Sequence, residues 1–238
     1  MSQPEFDRYS GSYEDLLKDP IRDHFTASGA QFFHLRKRDL IREHFRTLGI
    51  KTLRLSYLDV GCGKGELLSL LRDDFHQVAG CDPSPGMLSS SQGVETRLQE
   101  NPGKIPFDDD AFDFVTAVCV YHHVAQSSRL GLTREAYRVL RPGGVFAIIE
   151  HNPYNPVTRL IVSRTPIDAD ALLLRPSEAQ QWMRLAGFRC HAPRYFLYFP
   201  EPIYRRVGGR LERLLQRVPL GGQYAIFGTK QNSPPGPL

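Results

Sequence analysis

The sequence predicts an α/β fold with a mostly parallel sheet. Short apolar runs typical of strands alternate with helical patterns along most of the chain, as in successive strand–helix–strand units. A glycine-rich turn separates one strand-like run from the helix-like run after it, as in folds that bind a nucleoside at the end of a parallel strand. The 238 residues suit one domain with an elaborated lid.

A helix precedes the first strand of the predicted sheet. In the segment "FFHLRKRDLIREHFRTLG", apolar residues recur near the spacing of one helical face, and Gly49 is a natural C-cap. We therefore expect a helix that packs on the sheet and ends near Gly49. The residues of its apolar face are Phe33, Leu40, Ile41 and Phe45.

Two strand–helix units follow this helix. The run "LRLSYLDV" predicts a buried strand, and "ELLSLLRDDF" predicts the helix after it. "HQVAGCD" predicts a second strand, and in "PSPGMLSS" we expect Ser84 to cap a helix whose first residue is Pro85. The helix of the first unit is expected to bury Leu67, Leu68, Leu71 and Phe75.

The second half continues the alternation and adds a long connection. "FDFVTAVCV" and "VFAIIE" predict strands, separated by the helix "LTREAYRVL" and the turn "RPGG". Residues 152–175 are rich in Pro, Asn and Asp, which predicts a lid or binding element. "SEAQQWMRLAGF" predicts a helix with Ser177 as its N-cap and Gly187 as its stop, and "YRRVGGRLERLLQR" predicts a helix interrupted at Gly208 and Gly209. "RYFLYF" and "YAIFGTK" predict the last two strands.

Composition and charge limit the class of protein. Hydrophobic residues make up 41% of the chain and the net charge is +4, which is too weak to predict a nucleic-acid partner. The N-terminus lacks the pattern of a signal peptide, and no run approaches the roughly 18 apolar residues of a membrane span. The four cysteines form no C-x-x-C pair, so we expect no metal, reduced thiols and a cytoplasmic location.

The turn "LDVGCGKGE" predicts a nucleoside ligand without a diphosphate. Its glycines are Gly61, Gly63 and Gly65, whereas a dinucleotide-binding turn has its third glycine one residue later. This chain has Glu66 at that position, and a carboxylate there would crowd and repel a pyrophosphate. The spacing therefore disfavours NAD.

Two carboxylates indicate the same kind of ligand. Asp59 ends the first strand of the sheet beside the glycines, where it can hold an ammonium group directly or through water. Asp82 ends the second strand, where an acid suits the two hydroxyls of a ribose. S-adenosylmethionine (SAM) carries both groups, although the acid at Asp82 alone does not separate SAM from NAD.

Four segments resemble the successive motifs of class I SAM-dependent methyltransferases, in the order of that family. They are "LDVGCGKGE", "GCDPSPGML", "IPFDDDAFDFVTAVCVYHHV" and "EAYRVLRPGGVFAII", and they lie between about Leu53 and Glu150. The resemblance implies a Rossmann-like, mostly parallel sheet of seven strands with helices on both faces, an antiparallel last strand and a helical lid. It also implies SAM as the cofactor and S-adenosylhomocysteine (SAH) as the product, as in small-molecule methyltransferases.

The same resemblance assigns cofactor contacts residue by residue. Arg36, in a segment that looks like the lid helices of the family, would reach the SAM carboxylate. Asn101 stands where the family often has an Asp that accepts from the adenine amino group. The residues assigned to the glycine turn and the methionine part are Asp59, Gly61, Gly63, Gly65, Val118 and Cys119. Those assigned to the ribose and adenine are Asp82, Pro83 and Met87.

Histidines after two neighbouring strands are candidates for a base. Methyl transfer from a sulfonium is an in-line displacement, and a hydroxyl or carbon acceptor must also lose a proton. "VYHHV" places His122 and His123 where the methyl would point, and His151 follows the next strand. Because successive residues of a helix or strand point apart, we expect one of the first pair, preferably His122, to face the acceptor. The expected acceptor contacts are Tyr13, by the resemblance, and Tyr121, Asn152 and Tyr154.

The main hypothesis is one methyltransferase domain over residues 1–230, monomeric or homodimeric, acting on a small organic acceptor. Two alternatives stay open: an RNA or protein methyltransferase, and a SAM-binding regulatory protein without catalysis. The arginines of residues 205–217 are expected to form a solvated helix face, or else to contact an acidic partner or membrane surface. The expected parts are an N-terminal helical lid (1–49), a SAM-binding core (53–150), a lid insert (152–175), a C-terminal half (177–230) and a disordered tail (231–238).

Overall fold

A computed structural model describes residues 7, 11, 13–91, 93–168 and 170–231. These residues form one sheet of eight strands with helices on both faces. The strands are β1 (Ser56–Val60), β2 (Gln77–Asp82), β3 (Glu95–Leu98), β4 (Phe112–Val118), β5 (Leu140–His151), β6 (Phe188–Cys190), β7 (Arg194–Phe196) and β8 (Gln223–Lys230). The helices are α1 (Tyr13–Leu16), α2 (Pro20–Phe25), α3 (Ala30–Thr47), α4 (Glu66–Leu71), α5 (Pro85–Leu88), α6 (Arg129–Val139), α7 (Pro156–Arg164), α8 (Pro176–Leu185) and α9 (Glu201–Leu215).

The strand order confirms the predicted mostly parallel sheet. It runs β3-β2-β1-β4-β5-β8-β6, and β1 to β5 are mutually parallel where they pair. β8 lies antiparallel beside β5, so the last strand of the chain is inserted next to its neighbours rather than added at the edge. This arrangement leaves the carboxyl ends of the parallel strands together at one edge of the sheet.

The outer edge of β8 carries two short strands instead of the single strand predicted from "RYFLYF". β6 pairs with the last part of β8 and β7 pairs with its first part, so that together they occupy one strand position. Residues 191–193 interrupt this position, and Pro193 has no N–H to donate to a ladder. The sheet therefore has the seven positions that the sequence predicts, with the edge position divided.

The core lies on both faces of the sheet. Every residue of β1 is buried, as expected of a central parallel strand. One face packs against α6 and α8, and the other packs against α3 and α4. The predicted burial of Leu67, Leu68, Leu71 and Phe75 is confirmed, although α4 ends at Leu71.

Two helix boundaries differ from the prediction. α8 begins at Pro176 and its N-cap is Arg175, not Ser177, because Pro occupies the first helical position one residue earlier. Residues 152–175 contain the helix α7, capped by Asn155, whose Oδ1 accepts from the Thr158 N–H at 2.9 Å.

Other boundaries agree with the prediction. Ser84 caps α5, and α9 is kinked at Gly208, where φ is +62°. Of the predicted tail at 231–238, residues 232–238 lie outside the described residues.

The segments around α2 and α9 are joined by a buried carboxylate. Glu201, the first residue of α9, accepts hydrogen bonds from the Thr26 hydroxyl and from the backbone and hydroxyl of Ser28. These contacts hold the entry to α3 against the C-terminal half of the chain. None of the helices in the described part of the chain is both long and apolar enough to span a membrane.

His44 of α3 is a buried titratable group without a charge partner. Its ring stacks on Phe227 of β8 with centroids 3.8 Å apart, and within the described residues its Nδ1 has no hydrogen-bond partner. Burial lowers the pKa of His44 from 6.5 to about 3, and nearby Arg194 adds to the effect. The folded protein thus holds the His44 ring in its neutral form.

We predict that His44→Phe makes the fold less sensitive to acid. The unfolded chain takes up this proton near pH 6.5 and the folded chain only near pH 3, so the free energy of unfolding falls as pH drops through that window. Between about pH 7.5 and 5.0, the free energy of unfolding of the wild type, measured with urea, should fall by about 2 kcal/mol more than that of the variant. The exposed His76→Phe is the control, and equal losses in all three proteins would contradict the prediction.

Candidate functional site

A crevice opens where the strand order changes direction. From β1 the sheet continues through β2 on one side and through β4 on the other, and these three strands end at the same edge. In open sheets of parallel strands, ligands bind outside the carboxyl ends at such a point. The glycine turn follows β1, two of the predicted histidines follow β4, and the third, His151, is the last residue of β5.

The glycine turn is tied to the end of β2. Gly61 and Gly63 have φ values of +72° and +54°, a conformation that side chains rarely adopt. A Cβ at Gly61 would lie 2.5 Å from Val120, whereas a Cβ at Gly63 would meet nothing within 4 Å, so this side of the turn is open to a ligand. The two oxygens of Asp82 accept from the N–H groups of Gly63 and Ser84, both at 2.9 Å.

Asp59 is a buried carboxylate at the end of β1. Its Oδ1 accepts from the Thr116 hydroxyl at 2.5 Å, and the Tyr57 hydroxyl lies 2.8 Å from that of Thr116. Burial raises the pKa of Asp59 to about 7, against the opposing effects of the Thr116 hydrogen bond and the charge of Lys37. A cationic ligand beside Asp59 would favour its charged form.

Two neighbouring cations of α3 have different surroundings. Arg36, predicted to reach the SAM carboxylate, forms a buried ion pair with Glu212 of α9. Lys37 is 6% exposed, and its positive charge lowers the pKa of Asp59. No residue that the structure describes gives Lys37 a hydrogen bond or an ion pair. Arg36 is thus paired with another helix, whereas the charge of Lys37 acts on Asp59.

The predicted ribose and adenine contacts are divided between the crevice and the surface. Met87 is buried, Pro83 is half-buried, and both lie just after β2. Asn101 is exposed, and its Oδ1 accepts from the Gly103 N–H at 2.8 Å. Gly65 precedes α4 with a φ of +78° and closes the glycine turn. The oxygen that was expected to accept from adenine is thus engaged in a local turn.

Val118 and Cys119 lie at the end of β4, as predicted. The Cys119 N–H donates to the Ile149 carbonyl at 2.8 Å, which places the thiol between β4 and β5. Burial raises the pKa of Cys119, but the charges of Lys37 and His151 outweigh it and bring that pKa down to about 7. Nε2 of Gln223 donates to the Cys119 sulfur at 3.5 Å, and the effect of His151 on the pKa of the thiol indicates that these two side chains are near each other.

His122 lies between two carboxylates. Its Nδ1 is 2.6 Å from Oε2 of the fully buried Glu150, and its Nε2 is 3.5 Å from Oδ1 of Asp168. Burial lowers the pKa of His122, yet the two carboxylates outweigh it and raise that pKa to about 10. Both ring nitrogens are therefore occupied within the protein, which distinguishes this residue from an exposed base.

The expectation that His122 and His123 point apart is wrong. They lie in a turn after β4, where the His123 N–H donates to the Val120 carbonyl, and not in a helix or strand. Their ring centroids are 4.0 Å apart, and Nε2 of His123 is 3.3 Å from Oδ1 of Asp168. His151 is also close, with its ring centroid 5.2 Å from that of His122.

Two of the predicted acceptor contacts, Tyr121 and Asn152, form hydrogen bonds with other parts of the protein. Tyr121 is fully buried and its hydroxyl lies 2.8 Å from that of Thr133 in α6. Asn152 is also fully buried, and its Nδ2 donates to the Gly221 carbonyl at 2.7 Å. Tyr154 is 48% exposed just before α7, and the side chain of Tyr13 lies outside the described residues. Both of the first two side chains thus have partners within the protein, and their contact with an acceptor stays a prediction.

Sequence reasoning did not find Asp168 or Lys37. Asp168 lies in a 3-10 turn of the 152–175 segment, 45 residues after His123, and no motif joins the two positions. Lys37 follows Arg36 directly, and the helical pattern predicts only that the two side chains differ in direction. A cleft of about 490 Å³ along α7 has Asp168 on its wall.

Comparisons with known proteins find similar sequences and similar folds among methyltransferases. A family model described as a methyltransferase domain matches residues 58–148, from β1 into β5. The chain is 31% identical over 179 residues to the demethylmenaquinone methyltransferase of Symbiobacterium thermophilum, covering 67% of this chain and 66% of that one. A SAM-dependent methyltransferase from Thermotoga maritima, a possible histamine N-methyltransferase, superposes with a TM-score of 0.66. That likeness, at 18% identity over 95% of this chain and 98% of the other, concerns the fold alone.

The chain spans about half the length of several curated relatives that it matches. It is 30% identical over 121 residues to an uncharacterized methyltransferase of Synechocystis, covering 48% of this chain and 57% of that protein. Two further uncharacterized methyltransferases are covered over 40% and 53% of their length.

We predict that two alanine substitutions in the glycine turn differ in their cost. Gly63→Ala should lower the free energy of unfolding only by the roughly 1–2 kcal/mol that a side chain at positive φ costs. Gly61→Ala should lower it further, because its Cβ also meets Val120 at 2.5 Å. Denaturant unfolding should show that Val120→Ala restores part of the stability of Gly61→Ala and none of Gly63→Ala. Equal costs for the two glycines would contradict the contact.

Proposed function

We propose, from the premise that the chain belongs to the class I SAM-dependent methyltransferases, that it transfers a methyl group from SAM to a small organic acceptor. The demethylmenaquinone methyltransferase among the relatives acts, by its name, on a small molecule and supports this acceptor class. The acceptor would bind on the side of the crevice that β4, β5 and α7 form.

The observation that carries the proposal is the pair of buried charges at the crevice. Lys37 is a buried cation with no partner among the described residues, and Asp59 is a buried carboxylate whose pKa Lys37 lowers. The amino-acid end of SAM has one carboxylate and one ammonium group, which complement these two charges. The open side of Gly63 leaves room for the ligand between them and Asp82.

Asp82 suits the ribose although both of its oxygens already accept backbone hydrogen bonds. A carboxylate has about four lone-pair sites, and Gly63 and Ser84 use two of them. Those two bonds also hold the carboxylate in one orientation before any ligand arrives. We assign the ribose hydroxyls to the remaining sites, and Met87 and Pro83 to the neighbouring apolar contact.

Bound SAM supplies a methyl group already activated by its sulfonium. The residues of the chain then have to align the acceptor, exclude water and take up its proton. Both nitrogens of His122 face carboxylates, so we assign this ring to positioning and proton uptake to His151. His151 is half-buried at the end of β5 and lowers the pKa of the Cys119 thiol, beside the expected path of the methyl.

The 152–175 segment is the proposed specificity element. Its helix α7 borders the cleft of about 490 Å³, whose wall combines apolar side chains with the polar Arg159, Ser163 and Asp168. Such a wall suits an acceptor that carries polar groups on an apolar body. In this proposal residues 1–230 form a single domain, with the SAM-binding core at 53–150 and the lid elements at 1–49 and 152–175.

We predict that Lys37→Met weakens SAM binding by about ten- to a hundredfold, through loss of a charge-assisted contact to the ligand carboxylate. Affinity for 5′-methylthioadenosine, which lacks the amino-acid part, should stay unchanged. Calorimetry of both ligands measures the difference, and the exposed Lys51→Met is the matched control. Equal weakening of both ligands would contradict this placement of the carboxylate.

The activity itself is tested by SAH release from SAM. We expect SAH to accumulate with a member of a panel of phenols, quinols and small amines, and not with tRNA transcripts or peptides. Asp82→Ala should abolish the release by weakening SAM binding. Release with RNA or peptide alone would replace the proposed acceptor class, and SAM binding without release on any acceptor would favour a regulatory protein.

A further inference from the structure

We infer that His122, His123 and Asp168 form a binding site for a divalent transition-metal ion. Each of these residues offers one ligand atom, and the three atoms all lie within 4.8 Å of one another. His122 is buried, the other two are half-buried, and Asp168 lies on the wall of the cleft along α7. Two imidazoles and one carboxylate are a common ligand set for zinc and for iron(II).

The distances in the cluster suit one shared ion. Oδ1 of Asp168 is 3.5 Å from Nε2 of His122 and 3.3 Å from Nε2 of His123. Metal bonds of about 2.0–2.1 Å in a tetrahedral site place two ligand atoms roughly 3.3–3.5 Å apart. The third separation, between the ligand atoms of the two histidines, is no more than 4.8 Å, so an ion on Asp168 can bind both rings once they close on it.

The outer partner of His122 also fits a metal ligand. A histidine that binds a metal through one nitrogen usually donates its other N–H to a carboxylate or carbonyl, which fixes the ring. Here Nδ1 of His122 is 2.6 Å from Oε2 of Glu150, leaving Nε2 directed at Asp168. Glu150 is itself fully buried and accepts from the Tyr121 N–H at 2.7 Å, so this carboxylate is held in place.

The backbone fixes the two segments that bring the ligands together. The Leu172 N–H donates to the His122 carbonyl at 2.9 Å, and Nη2 of Arg129 donates to the Leu172 carbonyl at 2.9 Å. The Asp168 N–H donates to the Thr165 carbonyl at 2.9 Å, which closes the 3-10 turn. The 152–175 segment is thus joined to the turn after β4 at the cluster itself.

The ligand types select the kind of ion. Imidazole nitrogens favour zinc, iron, cobalt, nickel and copper, whereas magnesium and calcium favour oxygen ligands alone. With three protein ligands, a tetrahedral ion keeps one position for water or for another molecule. That position would suit an oxygen or nitrogen of the acceptor, and this last step alone rests on the proposed function.

The test uses the tag-free full chain, stripped with a chelator and titrated with Co²⁺ and Zn²⁺. We expect one Co²⁺ per chain, detected by its visible absorption, and displacement of that ion by Zn²⁺ in calorimetry. Asp168→Ala and His123→Ala should each weaken Zn²⁺ binding at least about tenfold. The exposed Asp170→Ala and His76→Ala are matched controls and should bind like the wild type.

Thermal unfolding of each metal-free variant shows whether it folds, and SAM affinity is measured on the same samples. Absence of Co²⁺ and Zn²⁺ binding in the wild type would overturn the inference and identify the cluster as a hydrogen-bonded network. Equal Zn²⁺ affinity in Asp168→Ala, His123→Ala and the wild type would overturn it too. Because SAM binding and SAH release are separate readouts, either result leaves the proposed function standing.

Discussion

The carboxylate of Asp82 holds together the two turns on which the cofactor side of the crevice depends. It accepts one hydrogen bond from the turn after β1 and one from the turn after β2. Because the carboxyl ends of parallel strands meet at one edge, a single side chain at the end of β2 reaches both turns. The positive φ of Gly63 and the position of Ser84 as the cap of α5 are consistent with this bridge.

The acceptor side is organised by a second buried carboxylate. Glu150 at the end of β5 contacts the backbone N–H of Tyr121 and the ring of His122, both in the turn after β4. This interaction holds the ring of His122 with its Nε2 toward Asp168, the residue that His123 also contacts. The two sides of the crevice therefore share one design, in which an acid at the end of one strand orders the turn that follows its neighbour.

Much of the fold could be predicted because it depends on local patterns. The leucines of α4, the cap at Ser84 and the glycine turn each combine residues a few positions apart, and the structure confirms them. The start of α8 was misplaced because serine is a common N-cap residue and Ser177 was taken as the cap, whereas Pro176 already occupies the first helical position. Such an error is small because a helix end depends on one or two residues.

The site was harder to predict because its side chains meet through tertiary structure. Asp168 joins His123 across 45 residues, and only the fold of the 152–175 segment brings them together. Arg36 and Lys37 are both cations on α3, and the choice between them depends on Glu212 of α9, far along the chain. The histidine pair was misjudged because its backbone is a turn, where the alternation of strands does not apply.

The ion pair between Arg36 and Glu212 has a consequence for how the molecule opens. Separating two such buried partners leaves an uncompensated charge, at a cost of about 3–5 kcal/mol. Glu212 also accepts from the Leu197 N–H, so α3, α9 and the chain after β7 are coupled as one rigid wall. α7 is held less firmly, because it offers Leu160 and Val157 to solvent and its Arg164, half-exposed, pairs with Asp19 where water already reaches the guanidinium, so that a shift of this helix costs less than a shift of α3 or α9.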